Sequence, residues 1–551
     1  MQQATDANNR ISHLDPISPV AVKSPIVVNA PMVVIQAIPQ KWRAVLPAAL
    51  VVACVVAGFA LRTFCFARNQ SLWIDEAFLA LNVVYRTVPE LCEPLDLNQG
   101  APLGYLLVCK YTIKAFGSGE LALRLPSLVA SLVGFAVFIP LAYRMLPLVA
   151  ARIAVCLFAL SPYLIAYSAE FKQYELDATI AILLTAIGLP VWRNQAGSWR
   201  LIGFATAGAV AVWMSHPAAF VLGGVGMAAL ADAVVRKDRA ALLARLGVVA
   251  TWLVSFGLCY ALFLRKLGDN DFLLEYWAGK FMPFPPTSPG DLAWLVDHFL
   301  KLFEKPGGMT SGEFATGGLC AVAFVMAALV LVRNEWRLLV ALVGPLLLAL
   351  AASAVHKYPF AGRLLLYAVP AMVLMVSYGA ALIAARLSEV ARWGGFVTLA
   401  ILFVAPVAEC RWLLKVMPHQ EDAREAIAHV HANWQPGDKL YVYYGAVPAF
   451  AYYQPRYPFP KDAVVLGIEN RDEDQRRFQV EIAPLDEKSR VWVVLAHRQT
   501  QEETAIQAYL DAMGQREEQK KWSDAGIMRY DLTTAPAQPV EGPVQPGRPP
   551  H

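Results

Sequence analysis

Apolar residues in this chain come in long unbroken runs. They lie near 44–64, 101–116, 124–143, 148–168, 175–192, 201–215, 217–235, 243–263, 314–332, 337–355, 364–384 and 394–414. A run of roughly twenty apolar residues is long enough to cross a bilayer as an α-helix, which satisfies its own backbone there. The pattern therefore predicts a polytopic α-helical membrane protein. The run 101–116 is the weakest, being short and containing Lys110 and Lys114.

Lys and Arg between the runs set the topology, because short cytoplasmic loops are enriched in them. Lys41 and Arg43 precede the first run and place the N-terminus inside. Arg236, Lys237, Arg239 and Arg245 mark another cytoplasmic turn. Counting crossings from that landmark puts Arg144, Arg152, Arg193, Arg200, Arg333, Arg337, Arg386 and Arg392 inside. It puts 65–100, Glu170 to Tyr174, 264–313, His356 to Arg363 and the C-terminal portion outside. The count closes only if 101–116 does not cross. That run is read as a short re-entrant or juxtamembrane helix, leaving about 11 spans.

From about 416 the pattern changes. Val- and Tyr-rich segments such as Leu440–Tyr444 and Val491–Leu495 alternate with helical stretches such as Asp422–Asn433 and Glu502–Met513. This predicts a soluble α/β domain over 416–534, non-cytoplasmic by parity, behind a transmembrane domain over 41–415. Residues 1–40 are expected to be a disordered cytoplasmic tail, because their prolines break any signal-peptide core. Residues 535–551 are expected to be a Pro-rich tail.

Composition agrees with the pattern: 57% of the 551 residues are hydrophobic and 16% charged. A net charge of +4 gives no reason to expect a nucleic-acid partner. No CxxC or Cys/His cluster points to zinc. Cys65 and Cys92 share one expected external loop, where a disulfide or two separate thiols would both fit.

In so apolar a chain, charges beside the membrane single themselves out. Ser71-Leu72-Trp73-Ile74-Asp75-Glu76-Ala77 places two carboxylates just after the first run. Alone, the pair also reads as an acidic helix start, since acids favour the N-terminal turn. The counted topology puts Glu170, Lys172, Tyr174, Asp177, His216, Lys357 and Arg363 on the same outer face. Singly, each has a plain structural reading. Lys172 and Arg363 could snorkel, His216 could be an interfacial histidine, Lys357 could cap its helix, and Asp177 could pair with Lys172 or Lys357. Their gathering on one face suits a phosphate-bearing substrate and a nucleophile that needs a base.

These residues fall in an ordered set of motifs. Leu72-Trp73-Ile74-Asp75-Glu76-Ala77 is followed by Gln99-Gly100-Ala101-Pro102-Leu103, Phe116-Gly117-Ser118-Gly119-Glu120 and Leu123-Arg124-Leu125-Pro126-Ser127. Ser161-Pro162, Tyr167 to Tyr174, Ser215-His216 and Tyr358 to Arg363 complete it. The set resembles the GT-C membrane glycosyltransferases, in particular the branch of protein mannosyltransferases, aminoarabinose transferases and rhizobial Rgt-like enzymes. Two departures stand out: Lys172 replaces the branch's usual Arg, and Ala101 its first proline.

The resemblance covers roughly 44–415. It implies an inverting enzyme that takes a hexosyl or pentosyl group from a polyprenyl-phosphate donor. The acceptor would be a glycan, lipid or protein on the periplasmic face of the bacterial inner membrane. It implies Asp75 as general base and Glu76 as the residue orienting the acceptor or its helix. Lys172, His216, Lys357 and Arg363 would meet the donor phosphate, with Glu170 and Tyr174 shaping the site. No metal is required by this pattern, although a divalent ion could be held through Asp75 or Asp177. The loop 264–313, with Tyr276, Trp277 and Trp294, is either a lid or acceptor platform or an interfacial aromatic belt. Two other functions remain open from sequence: a polytopic lipid or polysaccharide transporter, and a non-catalytic component of a cell-envelope glycan assembly system.

Overall fold

The computed structural model describes residues 47–268, 270–391, 393–416, 420–468, 477–483, 485 and 489–533. The expected tails at 1–40 and 535–551, with Lys41, Arg43 and Arg392, lie outside the described residues.

The membrane half opens with α1 (Ala48–Ala67), α2 (Ile74–Tyr85), α3 (Leu103–Phe116), α4 (Glu120–Met145), α5 (Leu148–Ala159) and α6 (Pro162–Tyr167). It continues through α7 (Tyr174–Trp192), α8 (Ser198–Met214), α9 (Ala218–Val235), α10 (Arg239–Cys259), α11 (Arg265–Gly268) and α12 (Asp271–Tyr276). Helices α13 (Pro289–Glu304), α14 (Gly317–Asn334), α15 (Trp336–Ala354), α16 (Val369–Val390) and α17 (Gly394–Leu413) close it.

Among the described residues, nine helices are long and apolar enough to span a membrane. The expectation was about 11. The shortfall falls on α5, with 12 residues, and α8, with 17. Helix α3 behaves as the charge count required. It starts beside the loop at Gly100, which touches Gln173, and ends before Ser118, whose carbonyl bonds Tyr452 of the soluble domain. Both ends therefore lie on the face that carries the α/β domain.

Close helix approach comes from small residues, since dispersion rather than water drives association in lipid. A Cβ on Gly379 of α16 would run into the Ala323 carbonyl of α14. Buried arginines of the bundle are satisfied in different ways. Arg62 of α1 is buried and gives its protons to Ser131 and to the carbonyls of Gly58, Phe158 and Ala159. At the end of α7 distant from Tyr174, Arg245 donates to the Val191 carbonyl and pairs with Asp232 of α9. Arg236 and Arg337 pair with Asp232 as well, at 2.7 and 2.6 Å.

The soluble half holds α18 (Ala423–Ala432), β1 (Lys439–Val442), α19 (Val447–Tyr453), β2 (Val464–Leu466) and α20 (Arg477–Ile482). It then adds β3 (Arg490–Ala496), α21 (Thr500–Met513), β4 (Gln515–Lys521) and β5 (Ala525–Asp531). The sheet order is β2-β1-β3-β5-β4, parallel across the first three strands and antiparallel beyond. Strand alternation splits the core. Tyr441, Val491 and Val493 pack with Ile506 and Leu510 of α21, while Leu440, Trp492 and Val494 face the other way. That second face shares one apolar cluster with Leu79 and Val83 of α2 and Leu106 of α3. A parallel sheet needs both faces covered, and here the membrane half helps to cover one.

Candidate active site

The segment before α2 is held from both halves of the chain. Arg424 of α18 donates its backbone N–H to the Ser71 hydroxyl at 3.0 Å and its guanidinium to the Asn69 carbonyl. The Leu72 N–H donates to the Tyr453 hydroxyl at 2.9 Å. Glu120, from the expected motif, lies outside the site. It anchors the soluble domain through Arg424 and Arg456.

Helix α2 then presents its acidic first turn, and its two carboxylates have different surroundings. Glu76 is fully buried. Both its oxygens face Arg124 of α4, with Nε at 2.8 Å, and the Phe171 N–H donates to it too. Its oxygens are thus occupied and out of solvent. Of its two expected roles, holding the helix that carries Asp75 fits the geometry.

Asp75 is open on one side. Its Oδ1 lies 3.4 Å from Lys172 Nζ and its Oδ2 2.8 Å from Arg363 Nη1. Burial pushes its carboxyl up, but the charges of Lys172 and Arg363 outweigh that and hold it below the ordinary carboxylate range. Burial pulls the Lys172 ammonium down, and neighbouring Arg363 adds to this while Asp75 opposes it. Lys172 also donates to Gln99 at 2.8 Å, which brings the Gln99-Gly100 motif into the site.

Arg363 lies over two rings, with its guanidinium carbon 5.8 Å from the Trp73 centroid and 5.6 Å from that of Tyr174. Such stacking fixes the plane of the guanidinium at little cost. Glu170 accepts from Trp73 Nε1 at 2.9 Å. Burial first, then the negative charge of Glu76, pushes its carboxyl up to about 8.

The structure thus gathers Asp75, Glu76, Glu170, Lys172, Tyr174 and Arg363. His216 lies in the turn between α8 and α9, and burial lowers its imidazole to about 4, so it is neutral there. A neutral imidazole would meet a phosphate through an N–H hydrogen bond and not through charge. Lys357 is exposed, and its ion pair with Asp177 does not form among the described residues. Asp177 is buried in the first turn of α7 and faces Ser215 rather than Lys172.

Sequence reasoning passed over Arg124, Gln99 and Trp73 as working residues. Arg124 carried a signal: an arginine one turn into an apolar helix demands a partner. Cys65 is buried in α1 and Cys92 lies in the following loop, and both are free thiols. Among the described residues, the metal-capable trio is Glu421, His497 and Asp524, with ligand atoms within 4.8 Å of one another. It includes neither Asp75 nor Asp177.

Among solved structures, ArnT from Cupriavidus metallidurans bound to undecaprenyl phosphate is similar, with a TM-score of 0.50 and 12% identity over 89% of this chain and 99% of that one. The same protein in the apo state gives 0.48 and 12% over 89% and 99%. The oligosaccharyltransferase of Archaeoglobus fulgidus in complex with zinc and sulfate gives 0.46 and 11% over 85% and 71%. No protein-family model matches the sequence, and no curated protein matches it. The first likeness extends through both halves and is one of fold: a polytopic helical membrane domain followed by a soluble α/β domain, as the sequence pattern led us to expect.

Proposed function

We propose that this chain is a membrane glycosyltransferase. It moves a sugar from a polyprenyl-phosphate donor to a hydroxyl of a glycan, lipid or protein acceptor, on the non-cytoplasmic face of a bacterial inner membrane. The observation that carries this reading is Asp75 held between Lys172 and Arg363 at the base of the soluble domain. One carboxylate between two cations suits displacement at a sugar phosphate. The carboxylate takes the acceptor proton, the acceptor oxygen bonds the anomeric carbon, and the phosphate leaves with the electron pair of the broken bond. Attack opposite the leaving group inverts the anomeric centre.

The resting geometry supports a sequence of events. Asp75 occupies the positions on Lys172 and Arg363 that phosphate oxygens would take. A bound donor draws both cations toward its phosphate, with Arg363 offering its planar fork and Lys172 a point charge. Their hold on Asp75 weakens, and the carboxylate becomes a better base. Glu170, kept neutral by burial, can border the anionic donor without repelling it.

The test is Asp75→Asn, which keeps the shape and removes the base. In proteoliposomes supplied with an undecaprenyl-phosphate sugar, transfer should fall by about 10²-fold or more. Wild-type transfer by a folded Asp75→Asn protein would remove this mechanism.

A further inference from the structure

Helix α2 lacks a cap of its own. Its N-cap residue is Trp73, whose side chain cannot accept from the first turn, and no side chain local to the segment does so. The first N–H groups of a helix have no intrahelical partner and need an acceptor from elsewhere. The acceptor for Ile74 comes from the soluble domain: Glu421 Oε2 takes its N–H at 2.9 Å. The other oxygen, Oε1, is held by His497 Nδ1 at 2.8 Å. Ile74 immediately precedes Asp75, so this cap sits on the turn that carries the reactive carboxylate.

Two features of His497 are independent of that bond. Its φ is +51°, a left-handed conformation that non-glycine residues adopt at a cost and that collects at functional sites. It also directly follows β3 at the carboxyl edge of the sheet. The order β2-β1-β3 reverses direction at β1, and the crevice outside the strand ends at such a point is where open α/β sheets place their working residues. Here that edge is turned onto the acidic pair of the membrane half.

We propose that Glu421 and His497 are positioning residues for Asp75: the soluble domain supplies the cap that α2 lacks and holds its acidic turn in register. Without this domain the membrane half has the reacting groups but not their placement. The inference rests on Asp75 being the base. The charged groups facing the pair are Asp524 and Asp75, with Arg498 beside Asp524. The bond to Glu421 raises the His497 imidazole above its ordinary range. His497 Nδ1 holds one oxygen of Glu421, which fixes the carboxylate whose other oxygen caps α2.

The experiment uses the full chain and two readouts. In hydrogen exchange, the 72–79 region should exchange about tenfold faster in Glu421→Ala, with Glu421→Gln close to wild type because its amide oxygen still accepts. In transfer assays with an undecaprenyl-phosphate sugar, Glu421→Ala should lower kcat on the order of tenfold or more, with donor KM little changed. His497→Ala should lower kcat in the same direction, with donor KM little changed. Unchanged exchange in Glu421→Ala, or a wild-type kcat in a folded His497→Ala protein, would overturn the proposal. So would a zinc- or chelator-dependent rate in wild type that vanishes in His497→Ala, which would make the trio a metal centre. Transfer by Asp75→Asn would instead sink the Asp75 assignment and leave exchange as the measure of the cap.

Discussion

Arg124→Met and Glu76→Gln, singly and together, separate a structural from a reacting role for Glu76. In the wild type, Arg124 meets both Glu76 oxygens and also donates to the Gln70 and Ser71 carbonyls at 2.6 and 3.2 Å. Removing one partner of a buried pair strands the other charge, which costs about 3–5 kcal/mol, so Arg124→Met should be destabilised by that much. Glu76→Gln keeps an acceptor for the Phe171 N–H but leaves the guanidinium short of a counter-charge, at a cost of roughly 1.5–3 kcal/mol. The double variant strands no anion, so its loss should fall short of the sum by about 2 kcal/mol. Denaturant titration in detergent across the four proteins gives the coupling energy, and a coupling under about 0.5 kcal/mol would refute the reasoning. Activity adds a second check. Glu76→Gln should retain measurable transfer, and a folded Glu76→Gln protein as inert as Asp75→Asn would make Glu76 a reacting group.

Two further substitutions probe the walls of the site. Glu170→Gln should transfer within about threefold of wild type, since the carboxyl is already neutral, whereas Glu170→Ala leaves Trp73 Nε1 without its acceptor and should lose about tenfold. Arg363→Ala should raise donor KM more than it lowers kcat, and should shift the acid limb of kcat/KM upward. In the wild type Asp75 titrates below the ordinary carboxylate range, so it stays ionised as pH falls from 7 to 5, and removing one of its cations narrows that window. A pH–rate profile unchanged by Arg363→Ala would contradict the pairing.

The membrane architecture was legible because bilayer length and charge placement are one-dimensional signals. The parity of Arg144, Arg193 and Arg245 singled out 101–116, the run that folds as the 14-residue α3. The Asp75–Lys172–Arg363 convergence could be anticipated for the same reason, as charges on one face of an apolar chain have few places to go. The run 148–168 counted as one span but folds as the 12-residue α5 and the short α6, because a run of apolar residues gives no reliable sign of where a helix ends. Lys357 illustrates the limit: being on the right face did not bring it to the site. Glu421 was illegible for another reason. It acts 347 positions from its partner, and nothing in either local sequence announces the bond.

That separation also sets an order on biosynthesis. Ribosomes add about 5–20 residues per second, so roughly 20–70 s pass between the synthesis of Ile74 and that of Glu421. Throughout that interval the inserted helices hold an acidic turn whose first amide has no acceptor from the soluble domain. A chain that stalls, or whose last domain misfolds, therefore stops short of the assembled site. Completion of the reactive turn becomes one of the last events in the protein's maturation, and only a chain with a folded C-terminal domain reaches it.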